Sequence, residues 1–153
     1  MILAAVAATV VSAHCSNTER SAKDPVTAYR TFYSAASSGD WKVAMELLDA
    51  RTRSALEAAE RQLASRQGNN GVQEDVVSLT ALARGRVHGP LHSVSVVRTE
   101  GDRAALRVEA GRCEDDKSCE KFEVDMVRED GGWRVKPVLP EELVRYLPRG
   151  GAK

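Results

Sequence analysis

Two cysteines in the second half of the chain have the spacing of a local disulfide. Cys113 and Cys119 flank the charged segment 114–118 between two predicted strands. In an exported protein, nearby cysteines at a hairpin tip are typical of a disulfide, and closing so short a loop contributes about 2 kcal/mol in the chain-entropy model. The alternatives are a metal-binding pair and two free thiols. We expect the disulfide, because structural zinc requires four ligands, usually with tighter cysteine spacing.

A third cysteine follows an apolar N-terminal segment. Residues 2–13 carry no charge and are shorter than the about 20 apolar residues of a membrane-spanning helix. Their length suits the hydrophobic region of a signal peptide, whereas the alternative is a buried helix. Ser12-Ala13-His14-Cys15 resembles a bacterial lipobox but departs from it at two positions, so ordinary cleavage before the histidine and lipidation of Cys15 both stay open. We predict a signal peptide at 1–14 and a flexible tether at 15–23.

Histidines and acidic clusters do not form a metal site in the sequence. His88 and His92 are four residues apart, but Gly89-Pro90 between them prevents a helix that would align their imidazoles. Glu114-Asp115-Asp116 lacks the spaced ligands of a calcium loop. The chain contains no Walker loop, dinucleotide fingerprint, GxSxG or HExxH motif. We therefore expect no metal and no cofactor.

Length and charge limit the classes of partner. A chain of 153 residues argues for one domain. Lys and Arg number 22, against 22 Asp and Glu, so the sequence offers no basic face of the kind that binds nucleic acid. Hydrophobic residues make up 42%, which together with zero net charge excludes a disordered chain.

Helical periodicity dominates from Asp24 to Gly85. Asp24-Pro25 predicts a helix start and Gly39 its end, because aspartate caps free N–H groups and glycine adopts the left-handed conformation. Asp40 begins a second helix, and a third covers about 52–67. The apolar stripe of the second helix is Trp41, Ala44, Leu47 and Leu48. A similar stripe indicates a fourth helix, made of Val76, Leu79, Thr80 and Ala83.

After Gly89-Pro90 the period changes to two, which predicts strands. Turns at Glu100-Gly101-Asp102 and Asp130-Gly131-Gly132 separate them, and Pro140 begins a short helix through Tyr146. Helices followed by an antiparallel meander predict an α+β fold, with the helices packed in the concave face of a curved four-stranded sheet. The inward side chains are Leu106, Val108, Phe122, Val124, Met126, Trp133 and Val135. The outward ones mix signs in Arg107, Glu109, Lys121, Glu123, Asp125, Arg134 and Lys136.

The order of these elements resembles a known superfamily. Gly39-Asp40-Trp41 opens a short helix after a long one, and Gly131-Gly132-Trp133 opens a late strand. Over 24–139 the chain resembles the nuclear transport factor 2-like, cystatin-like cone, and in particular its bacterial branch of unknown function that is often found on lipoproteins. The motifs are short and structural. The segment 68–83 fits the pattern less well.

The resemblance implies a cone whose interior could hold a ligand. Some cones of this fold are enzymes of the isomerase or cyclase kind, with an acid or a His–Asp pair inside. General acid–base catalysis requires such a positioned proton carrier, and the inward set contains no titratable group, so we assign no catalytic residue. Candidates to line the cavity are Tyr29, Tyr33, His92, Phe122, Met126 and Trp133.

The sequence therefore predicts an exported, lipid-anchored envelope protein of a bacterium, periplasmic or attached to the inner or outer membrane. Its domain, 24–148, would be a non-catalytic binding or interaction module, followed by a tail at 149–153. The alternatives are a small-ligand carrier and a cavity enzyme. Expected partners are the membrane, through the anchor, an envelope protein or small ligand, and a second copy through the sheet face. Nucleic acid is not expected.

Overall fold

The computed structural model describes residues 23–67, 89–113, 119–139 and 141–144. Several predictions lie outside these ranges. They are the signal peptide, Cys15 and its tether up to residue 22, the fourth helix at 76–85, His88, the acidic tip 114–116 and the C-terminal tail.

Two helices begin as their capping residues predict. Helix α1 (Pro25–Ser38) starts after Asp24, whose carboxylate accepts a hydrogen bond of 2.9 Å from the amide of Thr27. It ends at Gly39, which has a φ of 80°. Helix α2 (Trp41–Glu46) starts after Asp40, whose carboxylate accepts a 3.3 Å bond from the amide of Val43. Both starts are local in sequence, which is why the pattern alone locates them.

Helix α2 is shorter than its apolar stripe predicts. The prediction that Leu47 and Leu48 belong to the helix is wrong, because their backbone pairs with a strand instead. The amide of Val135 donates to the carbonyl of Leu47 over 2.8 Å, and the amide of Asp49 donates to the carbonyl of Val135 over 2.9 Å. Both leucines remain buried. Helix α3 (Ala50–Gln67) then begins two residues before the predicted start.

Four strands form one antiparallel sheet in the order β1-β2-β3-β4, so the predicted α+β fold is confirmed. They are β1 (Leu91–Glu100), β2 (Arg103–Gly111), β3 (Cys119–Glu129) and β4 (Gly132–Lys136). Asp130 and Gly131 join β3 to β4 with φ values of 51° and 75°, the positive angles that a two-residue type I′ turn requires. A short helix, α4 (Glu141–Val144), contacts α3.

The core lies between α1 and the concave face of the sheet. Helix α1 contacts β1, β2 and β4 and buries one face, made of Ala28, Tyr29, Phe32, Tyr33, Ala35 and Ala36. Five members of the predicted inward set are buried, namely Leu106, Val108, Met126, Trp133 and Val135, while Phe122 and Val124 pack partly buried against them.

Strand β1 departs from the simple alternation. Val94 is 9% exposed, but Val96 is 46% and Val97 44% exposed. The register shifts between Val96 and Arg98, so that Val97 has no partner residue on β2. This bulge turns Arg98, which strict alternation would place beside Val94 and Val96, to the outward face.

Candidate functional site

The two cysteines close the β2–β3 hairpin as predicted. Cys113 follows the last residue pair of the hairpin, Gly111 with Cys119. The two sulfur atoms are bonded, and the Cα atoms of the two cysteines are 4.4 Å apart. The disulfide therefore fixes one end of the sheet, which we call the disulfide end.

Backbone carbonyls at the disulfide end engage the polar tips of two predicted site residues. The hydroxyl of Tyr33 donates to the carbonyl of Gly89 over 3.0 Å. Nε2 of His92 lies 2.8 Å from the carbonyl oxygen of Gly111. The amide of Gly111 in turn donates to the carbonyl of Pro90 over 2.9 Å. These contacts tie α1 and the start of β1 to the end of β2.

The two tyrosines of α1 are neutral side chains at physiological pH. Tyr29 is 2% exposed, and its ring centroid lies 6.0 Å from that of Tyr33. Burial, and then the neighbouring Tyr33, raises the pKa of Tyr29 well above its ordinary value. Burial, and then the carboxylate of Glu120, also raises the pKa of Tyr33. Both phenols can donate hydrogen bonds, but neither is suited to act as a base.

The structure brings most of the predicted cavity-lining residues into one cluster. Tyr29, Tyr33, Met126 and Trp133 are buried together, and Phe122 packs against them. His92 is exposed. That these residues line a ligand cavity stays a prediction.

Asp49 is a buried carboxylate that the sequence analysis did not select. It is 3% exposed, and its Oδ1 accepts a 2.7 Å hydrogen bond from the amide of Thr52 in the first turn of α3. It lines a depression of about 170 Å³ together with Arg51, Thr52, Lys136, Pro137, Leu139 and Val144. An aspartate three residues before a threonine at the start of a polar helical segment is the signal that could have identified this cap.

Opposite charges pair across the strands on the outward face near the disulfide end. Arg107 faces Glu123 and Lys121 faces Glu109 in the register, and each pair has an N–O distance of 3.6 Å. These are the mixed-sign pairs that alternation predicts. Such exposed pairs contribute little to stability.

The opposite end of the same face, where two turns join β1 to β2 and β3 to β4, carries a second depression. We call it the turn-end depression. Its volume is about 240 Å³, and it is lined by Arg98, Glu100, Arg103, Ala104, Asp125, Met126, Val127 and Lys136. Among the described residues, none of its five charged side chains has an ion-pair partner within 4.0 Å.

The described ranges hold no group of three or more His, Cys, Asp or Glu side chains that could bind a metal ion. Within the same ranges, no helix is both long and apolar enough to cross a membrane. In comparison with known proteins, no family model, no curated protein and no solved structure matches the chain.

Proposed function

We propose that this chain is an exported, non-catalytic binding domain of the bacterial cell envelope, attached to the membrane by a lipid on Cys15. The observation that carries the proposal is the Cys113–Cys119 disulfide. Disulfides persist in secreted and periplasmic proteins and are rare in the reducing cytosol. The apolar segment at 2–13 supplies an independent reason to expect export.

The order of elements supports a nuclear transport factor 2-like cone. A long helix, a short helix that opens at Gly39-Asp40-Trp41 and a curved antiparallel sheet follow one another as the resemblance implies. Trp133, which follows Gly131 of the turn and Gly132 of β4, is buried in the core cluster. These features concern the fold, and the fold alone does not assign an activity.

Binding is favoured over catalysis by the chemistry of the described residues. The tyrosines of the core, Tyr29 and Tyr33, hold their protons tightly. The carboxylates of Glu109 and Glu123 pair with cations on the outward face. Asp49 is engaged in capping α3. General acid–base catalysis needs a proton carrier within reach of a substrate, and these groups serve other roles.

Intact mass spectrometry of the full chain, expressed in a bacterium and extracted from its membranes, tests this proposal. We expect a chain that begins at Cys15 and carries the added mass of two or three acyl groups. Cys15→Ser is the matched variant, which should leave the membrane fraction. A wild-type chain that begins at His14 would reject the anchor, and a cytosolic chain that retains residues 1–14 would reject export.

A further inference from the structure

The turn-end depression brings together charged side chains from all four strands. Residues that face one another across the sheet form two rows. The first row is Arg98, Ala105, Asp125 and Lys136. The second row is Glu100, Arg103, Val127 and Arg134. Six of these eight side chains line the depression. The β1 bulge is essential to this arrangement, because it places Arg98 on the outward face.

Charges around the depression differ in pairing from those at the disulfide end. There, directly opposed residues form ion pairs at 3.6 Å. Asp125 and Lys136 are also directly opposed, as are Glu100 and Arg103. Neither of these two couples is among the ion pairs that the described residues form with an N–O distance of 4.0 Å or less. Opposed residues of opposite charge can pair with little rearrangement. Here they surround a space instead.

The sum of the charges indicates the ligand. Arg98, Arg103 and Lys136 are cations, whereas Glu100 and Asp125 are anions. Arg134, at the end of the second row, is not counted because it does not line the depression; its Nη1 donates to the carbonyl of Trp133 over 3.2 Å. A simple anion would satisfy the cations but would meet repulsion from the two carboxylates. A ligand with two carboxylates and one ammonium group complements both signs and the net charge of the site.

We propose that the turn-end depression binds a free acidic amino acid through this charge pattern. Arginine binds carboxylates with paired, directional hydrogen bonds, so Arg98 and Arg103 hold the ligand carboxylates while Asp125 holds the ammonium group. The volume of about 240 Å³ is below the about 300–1,000 Å³ of sites for drug-sized molecules and matches a small metabolite. This inference rests on the proposed function, since it names a ligand for the binding domain.

Amide NMR spectra of the full chain, recorded with the disulfide intact, test the site and the ligand. We expect L-glutamate and L-aspartate to shift resonances of the two rows, with saturation at millimolar concentration. Glutarate lacks the ammonium group and L-glutamine lacks the second carboxylate, so each should bind at least about tenfold more weakly, the loss expected for one charge-assisted hydrogen bond. Equal binding of glutarate, or no shift with either amino acid, would overturn the proposal. The membrane location of the chain is measured separately, so it would stand or fall on its own.

Matched variants locate the ligand on the outward face. Arg103→Gln should weaken glutamate binding at least about tenfold, whereas Arg107→Gln, four residues along the same strand and ion-paired with Glu123, should leave it unchanged. Asp125→Asn should weaken glutamate binding but strengthen the residual binding of glutarate, because it removes one of the two carboxylates that repel an anion. An equal loss with Arg103→Gln and Arg107→Gln would show a diffuse charge effect and would refute the site.

Discussion

Gly89 lies at a position where the structure leaves no room for a side chain. Its φ is 75°, and a Cβ added there would lie 3.0 Å from the Cα atom of Gly111 on β2. Gly131 has the same φ of 75°, but a Cβ there would meet no atom within 4 Å. Alanine at either position therefore bears the same backbone strain, and only alanine at Gly89 also meets the neighbouring strand.

The expected losses in the free energy of unfolding follow from the backbone strain and from the contact with the neighbouring strand. Left-handed backbone costs an L-residue about 1–2 kcal/mol, so Gly131→Ala should lower the free energy of unfolding by about that amount. Overpacking adds typically about 1–3 kcal/mol. Gly89→Ala should therefore cost about 2–5 kcal/mol, because the atom in the way belongs to the backbone of Gly111 and cannot rotate aside.

Urea unfolding at 25 °C measures both variants, since the free energy of unfolding falls linearly with denaturant. A double-mutant cycle adds a second test. If Gly89→Ala displaces the carbonyl that accepts from Tyr33, then Tyr33→Phe should cost less in the Gly89→Ala background than in the wild type. Equal losses for Gly89→Ala and Gly131→Ala, within about 0.5 kcal/mol, would refute the close approach of the two chain segments.

Three further predictions concern the disulfide, the core and the buried phenol. Replacing Cys113 and Cys119 with serine should lower the free energy of unfolding by about 2 kcal/mol, and unchanged urea midpoints would contradict it. Leu106→Ala should cost about 2–5 kcal/mol, whereas Val96→Ala, at a position 46% exposed, should cost far less; comparable losses would place Val96 in the core. Burial, and then the neighbouring tyrosine, raises the pKa of Tyr29. The free energy of unfolding should therefore have its full value below the ordinary tyrosine pKa of about 10. It should fall as the pH rises above that value, by up to about 1.4 kcal/mol per pH unit. Tyr29→Phe should flatten that slope, and an unchanged slope would show that this phenol titrates normally.

The sequence predicts a helix start well where the hydrogen bond that caps the helix joins residues close together in the chain. The carboxylates of Asp24 and Asp40 bond to amides three residues away, so each helix start could be predicted from neighbouring residues. The boundary of α2 could not, because Leu47 and Asp49 bond to Val135, which is more than eighty residues distant in the sequence. Composition also gave no reason to bury Asp49, whose position depends on that same strand pairing.

The turn-end depression was hidden from sequence analysis for a related reason. Arg98 and Lys136 belong to the two outermost strands, and only the register brings them onto one face. Alternation from Val94 and Val96 would have turned Arg98 inward, and nothing in LHSVSVVRTE marks Val97 as the bulged residue. A bulge depends on the pairing of two strands, so its position follows from β2 as much as from β1.

The disulfide and the depression lie at opposite ends of β2, and this separation assigns them different roles. Arg103 begins the strand and Gly111 ends it, so the two ends of β2 are about 27 Å apart at about 3.4 Å per residue. The covalent bond adjoins the segment where Gly89 approaches Gly111 and where Tyr33 anchors α1. It therefore stabilises the packing of the helix on the sheet, whereas the charged rows are positioned by strand pairing and by the β1 bulge. A change in redox state would act on the stability of the domain rather than on the charge pattern that we propose as its binding site.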